Sequence, residues 1–221
     1  MTLLYARAPF QQLRAATYDL ALIDPPWPNY NRSPKGEKKS SVAQYGRMAW
    51  PAIYALPVRD LLKRDAVIVL CCTWPLFLNG GDVAKHYKGH NAGESPQGRC
   101  LPEWGARYST GGSWRKLTKN GKVRRGTAYR LASACEPFII GIVGSPKTVV
   151  QLNTFDGIVR QHSRKPETIF DFCERLMPGA RRIELFSRAS RRAWDTWGYE
   201  AGKFDPVVTH GAPANDDRAA A

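Results

Sequence analysis

The chain has 221 residues, 43% hydrophobic and 24% charged, enough for one substantial domain with its own core. Lys and Arg number 33 against 19 Asp and Glu; the formal net charge of +14 favours a polyanionic partner, most often nucleic acid. No apolar run approaches the roughly 20 residues of a membrane helix, and Met1 to Phe10 lacks the long apolar stretch of a secretory signal, so neither a membrane protein nor a secreted one is expected.

In chain order, Leu3-Leu4-Tyr5 is a candidate short strand. Leu20 to Ile23 is the first continuous apolar run, and it leads directly into Asp24-Pro25-Pro26-Trp27. Asn29 to Met48 is polar and rich in Lys, Ser and Gly, and reads as a long loop. A helix is predicted over about Trp50 to Leu62, with Pro51 tolerated in its first turn and Pro57 as a candidate break. Ala66 to Leu70 is a second strand-like run. Asn79 to Ala134 is Gly-rich with scattered aromatics and reads as loop with at most short strands.

Phe138 to Val143 is a third strand-like run and Ile183 to Phe186 a fourth. Between them, about Lys165 to Met177 is predicted to be a helix. Pro166 suits its start, Ile169, Phe170, Phe172, Cys173 and Leu176 form its apolar stripe, and Pro178-Gly179 stops it. Continuous apolar strands alternating with helices point to a doubly wound α/β sheet covered on both faces. Residues 1–200 are read as one domain and 201–221 as an unstructured tail.

The five cysteines, Cys71, Cys72, Cys100, Cys135 and Cys173, are odd in number and form no CxxC pair, which fits a reduced, intracellular, cytoplasmic protein. His86, His90 and Cys100 could be drawn together as a zinc site, but the glycines and proline around them favour a polar loop, and no metal is expected.

Asp24-Pro25-Pro26-Trp27 carries the chemistry. It lies at the carboxyl end of a predicted strand, where open α/β sheets place their ligands. The prolines fix φ and stop the strand, Asp24 offers a carboxylate, Pro25 a bare carbonyl and Trp27 a π-face. A flipped-out adenine needs such a set: two acceptors for its exocyclic amine and a plate for its ring. Acceptors outside the ring plane would localise the nitrogen lone pair, and a fixed carboxylate would stabilise the charge that develops there. A strand-ending turn uses the same residue types.

These four residues resemble the catalytic signature of amino-methyltransferases that act on adenine. Further segments narrow the resemblance to the family of the eukaryotic mRNA adenosine methyltransferase and its bacterial and phage relatives. They are Tyr45-Gly46-Arg47-Met48, Glu136 with the strand to Gly144, His162-Ser163-Arg164-Lys165-Pro166, Ile183 to Arg188, and Trp194 to Gly198. The resemblance covers about residues 18 to 200. It implies a Rossmann-like methyltransferase sheet, permuted so that the catalytic strand precedes the cofactor strand, and S-adenosylmethionine as cofactor. The absence of an early G-x-G-x-x-G fits this and disfavours a nicotinamide enzyme.

The resemblance also implies roles. Asp24 and the Pro25 carbonyl, held by Pro26, would polarise the target amine. Trp27 would stack on the base or wall it, and Tyr45 would lie over it. Lys165, placed in the first turn of the predicted helix, would bind the methionine carboxylate, with Ser163 and Arg164 beside it. Glu184, Phe186 and Arg188 would line the cofactor, and Asp24 would lie near its amino group. On residue type alone, Lys165 and Arg188 read as solvated charges and Phe186 as core. Relatives often carry Gly-Asn-Glu or Gly-Asn-Gln where this chain has Gly198-Tyr199-Glu200, so Glu200, not Tyr199, is the expected cofactor residue there.

From Trp104 to Cys135 there are eight Lys or Arg and no acid, interleaved with Trp104, Tyr108, Trp114 and Tyr129. This is the composition of a nucleic-acid surface, with Arg115, Lys116, Lys119, Lys122, Arg124 and Arg125 as its candidates. Arg32, Lys35, Lys38 and Lys39 form a second basic patch after the catalytic turn. The compact chain resembles the bacterial and phage members, which points to DNA and to a restriction-modification setting. RNA methylation is the alternative, and a catalytically silent nucleic-acid-binding partner subunit is a third reading. The residues leave the oligomeric state open, a homodimer included.

Overall fold

The computed structural model describes residues 10, 12–28, 48–77, 95–126, 130–161 and 164–206. β1 (Tyr18–Ile23) is apolar on both faces because it lies in the middle of a seven-stranded sheet. Two short helices follow, α1 (Trp50–Tyr54) and α2 (Val58–Leu61), then β2 (Leu62–Cys71). The predicted helix over 50–62 is thus broken around Pro57, which lacks the N–H a continuous helix would need there. Next come α3 (Trp74–Phe77), α4 (Cys100–Glu103), β3 (Arg107–Leu117), β4 (Cys135–Val143) and β5 (Thr154–Ile158). The chain then forms α5 (Glu167–Leu176), β6 (Arg182–Leu185) and β7 (Trp194–Trp197).

The strand order is β5-β3-β4-β2-β1-β6-β7. β1 is parallel to β2 and to β6, β6 to β7 and β3 to β5, while β4 is antiparallel to both β2 and β3. The sheet is therefore mixed, with β4, among the described strands, running against the other six. The α/β class expected from the sequence holds, and the four apolar runs are β1, β2, β4 and β6.

Alternation along each strand splits the core in two. Ala21, Ile23, Ile68, Leu70, Ile183 and Leu185 face one side, with Trp50, Ile53, Leu61 and Trp104. Leu20, Leu22, Val67, Val69, Phe138 and Ile140 face the other, against Ile169, Phe170, Phe172 and Cys173 of α5. Each fully buried Leu, Ile or Phe contributes about 1.5–3 kcal/mol relative to exposure, so both layers are needed. Phe138, Phe155 and Phe172, with ring centroids 5.2–5.8 Å apart, lock β4, β5 and α5 together. Among the described residues no helix is long and apolar enough to cross a membrane.

Three strands differ from the sequence expectation. β3 lies inside the stretch read as loop; it is long but mostly exposed, and only Trp114 of it is buried. β5 and β7 are short strands at the two edges of the sheet. The expected tail begins as a turn: residues 201–206 fold back on the segment after β6, while 207–221 lie outside the described residues, as does the candidate strand at 3–5.

Candidate active site

β1 is the strand where the chain's connections change face. It leaves toward β2 through α1 and α2 on one face, and β6, on its other side, arrives from α5 on the opposite face. Ligands of open α/β sheets gather at such a switch point, beyond the carboxyl ends of the strands. Register puts Leu22 beside Glu184, so both point to the α5 face, and Asp24, two residues on, emerges above that same face.

Asp24 meets Lys165 there. Lys165 Nζ donates to Asp24 Oδ2 at 2.5 Å, and its side chain is only 10% exposed. Burial by itself pulls the Lys165 pKa down, but the Asp24 and Glu184 charges and the Asp24 hydrogen bond reverse this and hold it well above the ordinary lysine value. Glu184 is 5% exposed, and Ser187 Oγ donates to its Oε2 at 2.8 Å. Burial raises the Glu184 pKa, an effect Lys165 and Ser187 only partly offset. Lys165 lies before α5, whose first helical residue is Glu167 and whose N-cap is Pro166, rather than in its first turn as expected. Lys165 therefore offers its own charge and not a place in the helix.

Lys165, Glu184, Phe186, Arg188 and Arg164 line one cleft of about 180 Å³. Phe186 has φ of 64°, a strained value for a non-glycine residue, and its ring meets Trp197 edge-on at 5.4 Å. Gly198 closes β7 against this segment; a Cβ there would lie 2.6 Å from Ser187 O and 2.8 Å from Ser187 N. Arg188 Nε and Glu200 Oε2 form an ion pair at 2.7 Å, with side chains 9% and 14% exposed. Two residues expected to reach for the cofactor thus also hold each other. Tyr199 is exposed.

Trp27 lies on the other side of the sheet from Lys165 and Glu184. Trp27 is 7% exposed and belongs to the other core layer, its ring 5.5 Å from that of Trp50. The Pro25 carbonyl accepts the Trp27 N–H at 2.8 Å and keeps one lone pair, while Pro26 O accepts Met48 N–H at 2.9 Å. Tyr45, Ser163, Arg32, Lys35, Lys38 and Lys39 lie outside the described residues, as do His86 and His90. Among the described residues no cluster of His, Cys, Asp and Glu could hold a metal.

The basic stretch divides. Arg115 makes a bidentate pair with Asp156 at 2.7 and 2.8 Å, and Lys116 pairs with Glu136 at 2.5 Å beside the Trp114 ring. These two residues, expected to meet nucleic acid, are engaged within the protein. Lys119, Lys122, Arg124 and Arg125 stand exposed between β3 and β4. Sequence reasoning missed Phe204 in the supposed tail, which lines the cleft; an aromatic within a small, polar stretch was the available signal.

The model of the family described as MT-A70 matches residues 18–200. The chain belongs to the MT-A70 family. It is 29% identical over 177 residues to an Arabidopsis thaliana protein named N(6)-adenosine-methyltransferase MT-A70-like, covering 78% of this chain and 22% of the relative. It is 26% identical over 194 residues to the N6-methyladenosine RNA methyltransferase MTA1 of Cryphonectria parasitica, covering 86% and 53%. The human N(6)-adenine-specific methyltransferase METTL4 is 25% identical over 205 residues, covering 86% and 39%. The chain spans about a fifth to a half of the length of these MT-A70 relatives. The match confirms the adenine methyltransferase resemblance drawn from Asp24-Pro25-Pro26-Trp27.

Proposed function

We propose that the chain transfers a methyl group from S-adenosylmethionine to the exocyclic nitrogen of an adenine turned out of a DNA strand. The observation that carries this reading is the convergence of Asp24, Lys165 and Glu184 at the carboxyl ends of β1 and β6, in a chain of the MT-A70 family. The donor set of the cleft suits the cofactor. Lys165 offers a cation to its carboxylate, and Glu184, Phe186 and Arg188 a polar and aromatic wall; Asp24, which is not part of the cleft lining but is bonded to Lys165, offers an anion to its ammonium.

The cofactor supplies an electrophilic methyl group on a sulfonium. The protein's part is to orient and to stabilise. Asp24 and the free lone pair of the Pro25 carbonyl accept the two amine N–H groups, which draws the nitrogen out of conjugation. That nitrogen would take the methyl group, the bonding pair staying with the departing thioether, and would then lose a proton to water. Asp24 stabilises the positive charge in between, an electrostatic effect worth about a hundredfold or more in rate. Trp27 and Trp50 keep the motif rigid from beneath. Lys119, Lys122, Arg124 and Arg125 take the phosphates.

In this reading β1 is the catalytic strand and β6 the cofactor strand, and β1 coming before β6 in the chain supports the permuted order expected of this family. RNA is the second reading, favoured by the name of the fungal relative. The relatives described above are eukaryotic and lend no support to a bacterial, phage or restriction-modification setting. Methyl transfer from labelled S-adenosylmethionine to matched DNA and RNA oligonucleotides tests the proposal. Labelled adenine in DNA supports it, labelled adenine in RNA alone moves the substrate to RNA, and no label in either overturns it.

A further inference from the structure

We propose that Phe204 is a positioning residue of the cofactor cleft, its ring gathering the guanidinium groups of Arg164 and Arg188 where they face the cofactor. The proposal rests on reading this cleft as the S-adenosylmethionine site. Phe204 lies beyond the stretch matched by the MT-A70 model, which ends at residue 200.

The turn that carries Phe204 is built, not loose. Phe204 N–H donates to Arg188 O at 3.0 Å, and Asp205 Oδ1 accepts the Ser190 N–H at 2.6 Å. Lys203 N–H donates to Glu200 O at 3.0 Å, and Gly202, at φ 82°, supplies the left-handed corner. These bonds fasten the turn to the segment after β6 that bears Arg188.

The ring then meets two cations from different parts of the chain. Arg188 Cζ is 4.8 Å and Arg164 Cζ 5.1 Å from the Phe204 centroid, both within cation–π range. Arg164 precedes α5 and Arg188 follows β6, and all three residues line the cleft. Two like charges in a partly buried cleft repel each other, and the negative face of one aromatic ring attracts both.

Arg164 is the more dependent of the two. Glu200 pairs with Arg188, whereas Arg164 gives one hydrogen bond to Gln161 Oε1 at 3.1 Å, and its Nε is buried without a hydrogen-bond partner. Burial and the neighbouring Arg160 charge both push the Arg164 pKa down. The ring therefore offsets part of the cost of holding this cation beside the ligand, with its buried Nε–H still unpaired. A leucine would fill the same space but carries no quadrupole, so the aromatic character of residue 204 is what the proposal needs.

The test compares Phe204→Leu and Phe204→Tyr in the full chain. Phe204→Leu should weaken S-adenosylmethionine binding about tenfold by calorimetry, while Phe204→Tyr stays within about twofold of the parent. Both should melt near the parent and bind nucleic acid equally well. In the protein without cofactor, the Nε–H proton resonances of Arg164 and Arg188 should show ring-current shifts that survive in Phe204→Tyr and vanish in Phe204→Leu. If the parent binds the cofactor and Phe204→Leu matches it, or Phe204→Tyr loses as much as Phe204→Leu, the proposal is overturned while the cofactor reading stands. If the parent shows the ring shifts but no cofactor binding, the cofactor reading fails and takes this role of Phe204 with it.

Discussion

Lys165 Nζ lies 2.5 Å from Asp24 Oδ2, so the cation assigned to the cofactor carboxylate and the carboxylate assigned to the target amine are each other's partner. An incoming carboxylate competes with Asp24 for Lys165, and whatever Lys165 gives up, Asp24 regains as acceptor capacity. Cofactor binding should therefore prepare the base site, and by reciprocity a docked base should tighten the cofactor.

Lys165→Ala should weaken S-adenosylmethionine binding roughly ten- to a hundredfold, the scale of a lost charge-assisted hydrogen bond of about 1.5–3 kcal/mol. It should also abolish the coupling between cofactor and base. Calorimetry with S-adenosylhomocysteine, run with and without an oligonucleotide carrying a fluorescent adenine analogue, reads both. Unchanged affinity and unchanged coupling would make Lys165 a structural cation only.

The raised Lys165 pKa carries a definite sign. A cation whose folded pKa lies above its unfolded value adds stability that is complete below the unfolded value and is lost as pH rises through the folded one. The pair with Asp24 should thus persist from neutral pH to beyond the ordinary lysine range near 10.5. Side-chain resonances of Lys165 that titrate between pH 7 and 9 in the parent without cofactor would contradict this assignment.

Glu184 behaves oppositely. Its folded pKa is raised above the ordinary 4.5 by burial, so the folded state binds more protons than the unfolded one just above that value. Stability should fall as pH rises through this window. Glu184→Gln keeps an acceptor for Ser187 and removes the titration, so its melting temperature should vary less with pH from about 4.5 upward than that of the parent. Parallel melting curves for the two proteins would count against a Glu184 whose pKa is raised by burial.

Much of this was legible in the sequence where burial is two-sided. Leu20 to Ile23 and Ala66 to Leu70 are apolar at every position because both faces of β1 and β2 are covered, and α5 is marked by Pro166 and its apolar stripe. β3 was not legible, since its pairing with β4 and β5 is carried by backbone hydrogen bonds behind polar, exposed side chains and two glycines. Asp24 and Lys165 were found through their motifs. Their mutual hydrogen bond spans 141 residues and no local pattern encodes it. The burial of Trp27 was hidden for the same reason, because Trp50 reaches it only in the fold.

The exposed cations between β3 and β4 should dominate the salt dependence of nucleic-acid binding. Neutralising Lys119, Lys122, Arg124 and Arg125 together should lower the log–log salt slope on duplex DNA by up to about 0.9 for each phosphate these side chains had neutralised. Neutralising Arg115 and Lys116, already paired with Asp156 and Glu136, should change it far less. Titrations from low to moderate salt decide between them, and equal slopes for the two variants would contradict this division. Cofactor affinity should be the same in both.

The most direct test of the central claim is the fate of a labelled methyl group in Asp24→Ala. Parent and variant are incubated with methyl-labelled S-adenosylmethionine and with DNA and RNA oligonucleotides, and the nucleosides are analysed by mass spectrometry. The parent should yield adenine labelled on its exocyclic nitrogen, and Asp24→Ala should lose at least about a hundredfold of that rate while keeping the parent's far-UV circular dichroism. Adenine labelled at a comparable rate by the variant would show that Asp24 does not hold the reacting amine.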